Sequence, residues 1–231
     1  MKQRAGYALS SVLAVLITGC TSIGPNEGPL TRKVSWFSYL NADDIRETCK
    51  PGSPERIRMV FNADYAEHVR TYDLTVDDKT GGASLAIRVM PSAKLADFSF
   101  SDLLAPWRGA RGDVTLTPKQ STRLQGRITR SGAFEPPQAG LSLVSNEFYW
   151  LVSGCHEGKG FLNAFPLSGT DAQIPDFVSS LKTFDKTGVP FPDVADHNRR
   201  LSRMPPRHPQ DGSLTFTIRV GENGLQGTLP P

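Results

Sequence analysis

Residues 56–90, RIRMVFNADYAEHVRTYDLTVDDKTGGASLAIRVM, hold three runs in which apolar and polar positions alternate. In Arg56–Phe61, Ile57, Met59 and Phe61 alternate with Arg56, Arg58 and Val60. In Arg70–Val76, Tyr72, Leu74 and Val76 alternate with Thr71, Asp73 and Thr75. In Ser84–Met90, Leu85, Ile87 and Val89 alternate with Ala86 and Arg88. Successive side chains of a strand point to opposite faces, so this period gives each strand one buried and one wet face, the arrangement of an antiparallel sheet. Asp77-Asp78-Lys79-Thr80-Gly81-Gly82 reads as the hairpin turn between the second and third runs.

Outward from this stretch the pattern continues. Val34–Leu40 gathers Trp36, Phe37 and Tyr39, after which Asn41 offers an N-cap with Asp43 and Asp44 in the first turn of a short helix. That helix runs to Thr48 and is stopped by Pro51-Gly52. Ser101–Ala105 reads as one helical turn before Pro106-Trp107, and Val114–Thr117 as a short strand. Thr117 then caps a polar helix with Pro118 at its first position, a thin apolar stripe (Leu124, Ile128) and an end near Gly132. Leu141–Ser145 and Glu147–Ser153 are strands. In the second, Phe148, Trp150 and Val152 alternate with Tyr149 and Leu151, so both faces are apolar and the strand belongs at a sheet centre. Gly160–Phe165 is a further strand, and a helix over Pro175–Phe184 places Ile174, Phe177, Val178, Leu181 and Phe184 on one face. A short helix is expected around Val194–Met204 and a last strand over Leu214–Val220. Strands in runs make this an α+β fold: a mainly antiparallel sheet of about six or seven strands with three or four short helices, in a single domain.

Residues 1–20, MKQRAGYALSSVLAVLITGC, combine a basic start (Lys2, Arg4), an apolar run from Tyr7 to Ile17 and the box Ile17-Thr18-Gly19-Cys20. The run is shorter than the ~20 apolar residues of a permanent membrane span and suits the core of an export signal. The box resembles the lipobox of bacterial lipoproteins. The resemblance implies that a diacylglycerol is attached to the Cys20 thiol, that residues 1–19 are removed as a signal peptide, and that Cys20 becomes the acylated first residue. It also implies, through Thr21 in place of a retention-signalling Asp, a lipid anchor in the outer membrane facing the periplasm. Residues 20–33 then form a lipid-anchored flexible tether, whose Gly-Pro pairs break any regular structure and whose coil spans roughly 20 Å. Residues 34–185 form the α+β globular domain and residues 186–231 a Pro/Arg-rich tail with a final strand. The expected partners are the membrane, through the anchor, and another envelope protein.

The chain carries 26 Lys and Arg against 23 Asp and Glu, a formal +3 of which Lys2 and Arg4 supply two. A balance this close to neutral lacks the basic excess of a nucleic-acid-binding protein, and no such partner is expected. With Cys20 in the lipobox, Cys49 and Cys155 remain. In an exported chain such a pair reads as one disulfide, worth about 4–5 kcal/mol of loop entropy at this spacing. Two separate buried thiols, or one reactive cysteine, are the alternatives.

Little catalytic chemistry is legible. Cys155 beside His156 would suit a thiol nucleophile, but adjacent side chains on an extended segment point apart. Ser153–Gly160 lacks the spacing of a phosphate loop, His156-Glu157 lacks the second histidine of a zinc-protease helix, and no Gly-x-Ser-x-Gly elbow exists. His68, His156, His197 and His208 are scattered, so no metal site, cofactor or catalytic set is expected. One charge cluster stands out: Arg199, Arg200, Arg203 and Arg207, candidates for contact with anionic headgroups or another acidic envelope component. Trp36, Phe37, Tyr39 and Trp107 are candidates for a partner-binding patch. The function expected is that of a non-catalytic, lipid-anchored envelope lipoprotein that binds or supports another envelope component. A periplasmic hydrolase or cell-wall enzyme, or a small-ligand carrier, is the alternative.

Overall fold

A computed structural model of the chain describes residues 36–65, 67–91, 109–167, 173–196 and 216–227. Cys20 with the tether, the 101–105 turn, Trp107, and the four arginines at 199, 200, 203 and 207 lie outside the described residues. The helices are α1 (36–41), α2 (Asp43–Arg46), α3 (Pro118–Arg130) and α4 (Phe177–Phe184). The strands are β1 (Arg56–Ala63), β2 (His68–Val76), β3 (Ala83–Pro91), β4 (Ala110–Leu116), β5 (Ser142–Val144), β6 (Phe148–His156), β7 (Lys159–Pro166), β8 (Thr217–Gly221) and β9 (Gly224–Gly227).

The alternating runs pair antiparallel as their pattern requires. The wet face expected of each is not kept by β1, which is buried on both sides because α1 and strands β5, β8 and β9 cover Val60 and its neighbours. β1 and β2 lie antiparallel with Ile57 opposite Leu74 and Met59 opposite Tyr72, and β3 continues the ladder with Leu85 opposite Leu74. The 77–82 turn closes the β2–β3 hairpin through Asp77 N–H to Gly82 O at 2.8 Å. Six antiparallel strands run in the order β4-β3-β2-β1-β6-β7, and a second sheet runs β5-β8-β9.

Three layers result. On one face of the large sheet, Ile57, Met59, Phe61, Tyr72, Leu74, Leu85, Ile87, Trp150 and Val152 bury against Leu124 and Ile128 of α3 and Phe177, Val178 and Leu181 of α4. On the other, Val60, Val69, Tyr149, Leu151, Leu162 and Ala164 meet Leu40 of α1 and Leu143, Ile218, Val220 and Leu225 of the small sheet. β6 supplies both cores and is buried at every position but His156, the central strand its two apolar faces required.

Local chemistry explains the boundaries. Thr117 caps α3: its hydroxyl accepts from Gln120 N–H, the Gln120 side chain accepts from Thr117 N–H at 2.9 Å, and Pro118 opens the first turn. The disulfide joins Cys49, just after α2, to Cys155 of β6, with Cα atoms 5.5 Å apart. Beside it, Gly158 in the β6–β7 turn has φ +72°, and a Cβ there would come within 2.6 Å of Pro51 Cα, so the turn sits on the 50–51 backbone only because the residue is glycine.

The fold is α+β and mostly sheet, but four further expectations need correction. The described residues hold nine strands rather than six or seven. One of them, β9 (Gly224–Gly227), follows the last expected strand and lies outside every expected run; it forms because Val220 and Leu225 pair and bury together. β4 begins at Ala110, before the expected Val114, since pairing with β3 extends it. Asn41 does not cap α2. Ala42, at φ 53°, stands at that position, while the Asn41 carboxamide oxygen accepts from Leu225 N–H at 2.9 Å and from Arg46 Nη1 at 2.9 Å. Finally α4 begins at Phe177, which leaves Ile174 outside the helix and 59 % exposed.

Candidate functional site

Of the histidines and cysteines that the sequence raised, Cys49, Cys155, His68 and His156 can be placed, while Cys20, His197 and His208 lie outside the described residues. Cys155 is consumed by the disulfide and has no free thiol. His156 lies flat on Phe134, ring centroids 3.6 Å apart, and its Nδ1 meets the Glu55 carboxylate. His68 is buried on β2, far along the sheet from that pair. Among the described residues no group of three His, Cys, Asp or Glu is placed to hold a metal ion, and no helix is long and apolar enough to cross a membrane. Trp36 and Tyr39 stack at 5.4 Å and stay half-buried against the second core, with Phe37 beside Gly227, so they pack more than they project.

Two arginines are buried, Arg58 on the side that alternation assigns to water and Arg70 on the apolar side of β2, and both fasten one layer to another. Arg70 is fully buried. It forms an ion pair with Asp185, donates from Nη2 to Val189 O at 2.7 Å, and lies 3.9 Å over the Phe191 ring. Tyr72 donates its hydroxyl to the same carboxylate at 2.7 Å. Burial alone would raise the Asp185 pKa, but hydrogen bonds from Thr187 and Tyr72, with the Arg70 charge, outweigh it and hold the carboxyl below its usual range. The chain after α4 is thereby tied to β2.

Arg58 does the same on the opposite face. Its Nε donates to Asp73 at 2.6 Å and its Nη1 to Asp44 at 2.8 Å and Tyr39 O at 3.0 Å, while the guanidinium lies 3.7 Å over the Tyr39 ring. The Tyr39 hydroxyl donates to Asp73 at 3.0 Å. Burial, then the Asp73 charge, push its pKa up to about 12. This network pins α1 and α2 across β1 and marks the edge of what they cover.

Beyond that edge no described residue packs over one half of the face. Pairing aligns three rows across β2, β3 and β4: Thr71, Arg88 and Arg111; Asp73, Ala86 and Asp113; Thr75, Ser84 and Thr115. Outward positions of β3 and β4 stay exposed at Ser84, Arg88, Met90, Arg111, Asp113 and Thr115. An open groove of about 510 Å³ lies at the foot of the face, lined among others by Thr75, Asp77, Thr80, Ser84 and Thr115. Arg88 and Arg111 stand directly opposite each other across the strands. Among the described residues neither is in any salt bridge or side-chain hydrogen bond.

Like charges directly opposite on neighbouring strands destabilise the pair. An anion held between the two forks would turn that repulsion into charge-assisted, bidentate hydrogen bonding. This is the most distinctive polar arrangement on the described surface. Sequence reasoning did not single it out: alternation places Arg88 on a wet face, but only the β3–β4 register brings Arg111 alongside. Comparison of the chain with protein-family models, with curated proteins and with solved structures finds no match.

Proposed function

We propose that this chain is a lipid-anchored envelope protein, attached through Cys20, whose body is a non-catalytic docking module. Its outer β2–β3–β4 face binds an envelope protein that presents carboxylates. The observation that carries the docking reading is the Arg88–Arg111 couple, which among the described residues has no ion-pair partner and no covering layer. The lipobox-like Ile17-Thr18-Gly19-Cys20 carries the anchor. The Cys49–Cys155 disulfide accords with an oxidising, extracytoplasmic compartment, where such bonds persist. Rim arginines act mainly on encounter and register, so the interaction is expected to be salt-sensitive.

The test is crosslinking in cells followed by purification, comparing the parent chain with Arg88→Glu/Arg111→Glu and with Cys20→Ala. The reading expects one adduct that charge reversal abolishes and that loss of the anchor diminishes. An adduct of undiminished yield from the charge-reversed chain refutes docking through this face. A native N-terminus that mass spectrometry finds without an acyl group on Cys20 refutes the anchor.

A further inference from the structure

α3 is the most one-sided helix of the molecule in charge. Its 13 residues, PKQSTRLQGRITR, contain four basic side chains and no acidic one. Lys119, Arg123, Arg127 and Arg130 follow at intervals of four, four and three, which places them on one face. The opposite face is buried through Ser121, Leu124 and Ile128, so the basic stripe is turned outward. It runs roughly 17 Å along the helix axis.

Only the C-terminal end of the stripe is neutralised within the protein. Arg130 donates to Asp176 at 2.8 Å, and Arg127 reaches Ser179 and lies 4.0 Å from Asp176. Lys119 and Arg123 are exposed, and neither is in any ion pair or side-chain hydrogen bond among the described residues. Ile174 adds a second observation. It is the most exposed of the large hydrophobic residues described, at 59 %, and it stands two positions before Asp176, at the Arg130 end of the stripe. An aliphatic side chain in water next to a row of cations is the composition of a surface that rests on a bilayer: the cations meet phosphates and the apolar group enters the headgroup boundary.

We infer that the outer face of α3, with Ile174, docks on an anionic lipid surface. A straight row of coplanar cations suits a flat array of phosphates. A protein interface instead takes its energy from central aromatic or arginine anchors seated in pockets, and the outer positions between these cations are Gln120, Thr122 and Thr129. The inference is independent of acylation at Cys20 but compatible with it. The 15 residues between Cys20 and residue 36 extend to as much as ~50 Å. That exceeds the roughly 20 Å between outer layers of a three-layer stack, so an anchored body can lay α3 on its own membrane.

The experiment uses the chain from residue 20 onward with Cys20→Ser, so that no acyl group contributes; it retains both cores and all nine strands. Sedimentation with phosphatidylglycerol-containing vesicles is compared with sedimentation with phosphatidylcholine vesicles. Binding to the anionic vesicles alone, abolished at ~1 M salt where the screening length is only ~3 Å, is expected. Lys119→Gln/Arg123→Gln should weaken it about 30-fold, about fivefold for each cation near the surface; neither residue makes a contact the fold would miss. Ile174→Ser should weaken it further. Lys50→Gln/Arg219→Gln, the same charge change away from α3, with Arg219 exposed on the small sheet across the molecule, should leave it unaltered. Equal sedimentation with both lipids, or an equal loss in the Lys50/Arg219 control, overturns the inference. Mass spectrometry of the native N-terminus reports acylation separately, so failure of this surface and failure of the anchor remain distinguishable.

Discussion

Lowering the pH should destabilise this protein well above the range in which its carboxylates titrate, and His68 is the reason. The imidazole is 8 % exposed on β2, with the Phe61 ring at 6.3 Å and Arg70 donating from Nε to its Nε2 at 3.4 Å. Burial, then the Arg70 charge, lower its pKa to about 4, while Asp185 opposes them weakly. In the unfolded chain it titrates near ~6.5. Between those values the unfolded state takes up a proton that the folded state refuses, so stability falls with pH. The contribution is intact above the unfolded value and is lost progressively down to the folded one. For these two values the loss is about 2 kcal/mol between pH 7 and 5 and about 3 kcal/mol by pH 4. Urea unfolding of the parent and of His68→Gln, which keeps an acceptor for Arg70, measures it directly. The parent should lose this much stability relative to the variant across that window. Parallel stability curves for the two proteins would show that His68 is protonated in the fold and refute the reasoning.

Three further outcomes follow from the same contacts. Cys49→Ser/Cys155→Ser should lower stability by up to about 4.8 kcal/mol, the loop-entropy value for a separation of 106 residues, measured by urea unfolding against the oxidised parent. Asp185→Ala leaves Arg70 buried without its counter-charge and should cost about 3–5 kcal/mol, whereas Arg70→Met/Asp185→Leu should recover much of that loss in the same assay. Gly158→Ala places a Cβ within 2.6 Å of Pro51 Cα at φ +72° and should cost more than the ~1 kcal/mol of a left-handed backbone alone; a melting temperature equal to the parent's would mean that the turn moves freely off the 50–51 segment.

The parts of the fold that could be read ahead share one property: their cause lies within a few residues. The alternation of Arg56–Phe61, Arg70–Val76 and Ser84–Met90 is a local statement about two faces. So are the Thr117 cap with Pro118 behind it and the doubly apolar run from Phe148 to Val152. What could not be read depends on residues far away in sequence. Arg70 shares a face with Tyr72 and Leu74, and burying a guanidinium there is tolerable only because Asp185, 115 residues later, arrives to meet it. β9 is Gly-Leu-Gln-Gly, half glycine, and becomes a strand only beside β8. Ile174 continues the apolar pattern of α4, yet the helix begins after Asp176 and leaves it in water.

The candidate docking face belongs to this second kind, and its existence follows from a mismatch of widths. Neighbouring strands lie ~4.8 Å apart, so six strands present a face roughly 29 Å wide, while the three of β5-β8-β9 cover roughly 14 Å. The small sheet and α1 bury Val60, Val69, Tyr149, Leu151, Leu162 and Ala164, which belong to β1, β2, β6 and β7. β3 and β4 contribute nothing to that core, and their outward residues are Ser84, Ala86, Arg88, Met90, Arg111, Asp113 and Thr115, with Met90 alone a large hydrophobic side chain and an exposed one. Alternation announced wet positions at Ala86 and Arg88, while Arg111 and Asp113 lay before the strand expected at Val114. It could not announce that they form one continuous surface with two arginines abreast, because that depends on which residue of β4 stands opposite which residue of β3. A slip of one residue in that pairing would turn Arg111 toward α4 and Gly112 outward. The chemistry of the face is therefore a property of register, and a variant that shifted the β3–β4 register while leaving both sequences intact should lose docking as completely as charge reversal does.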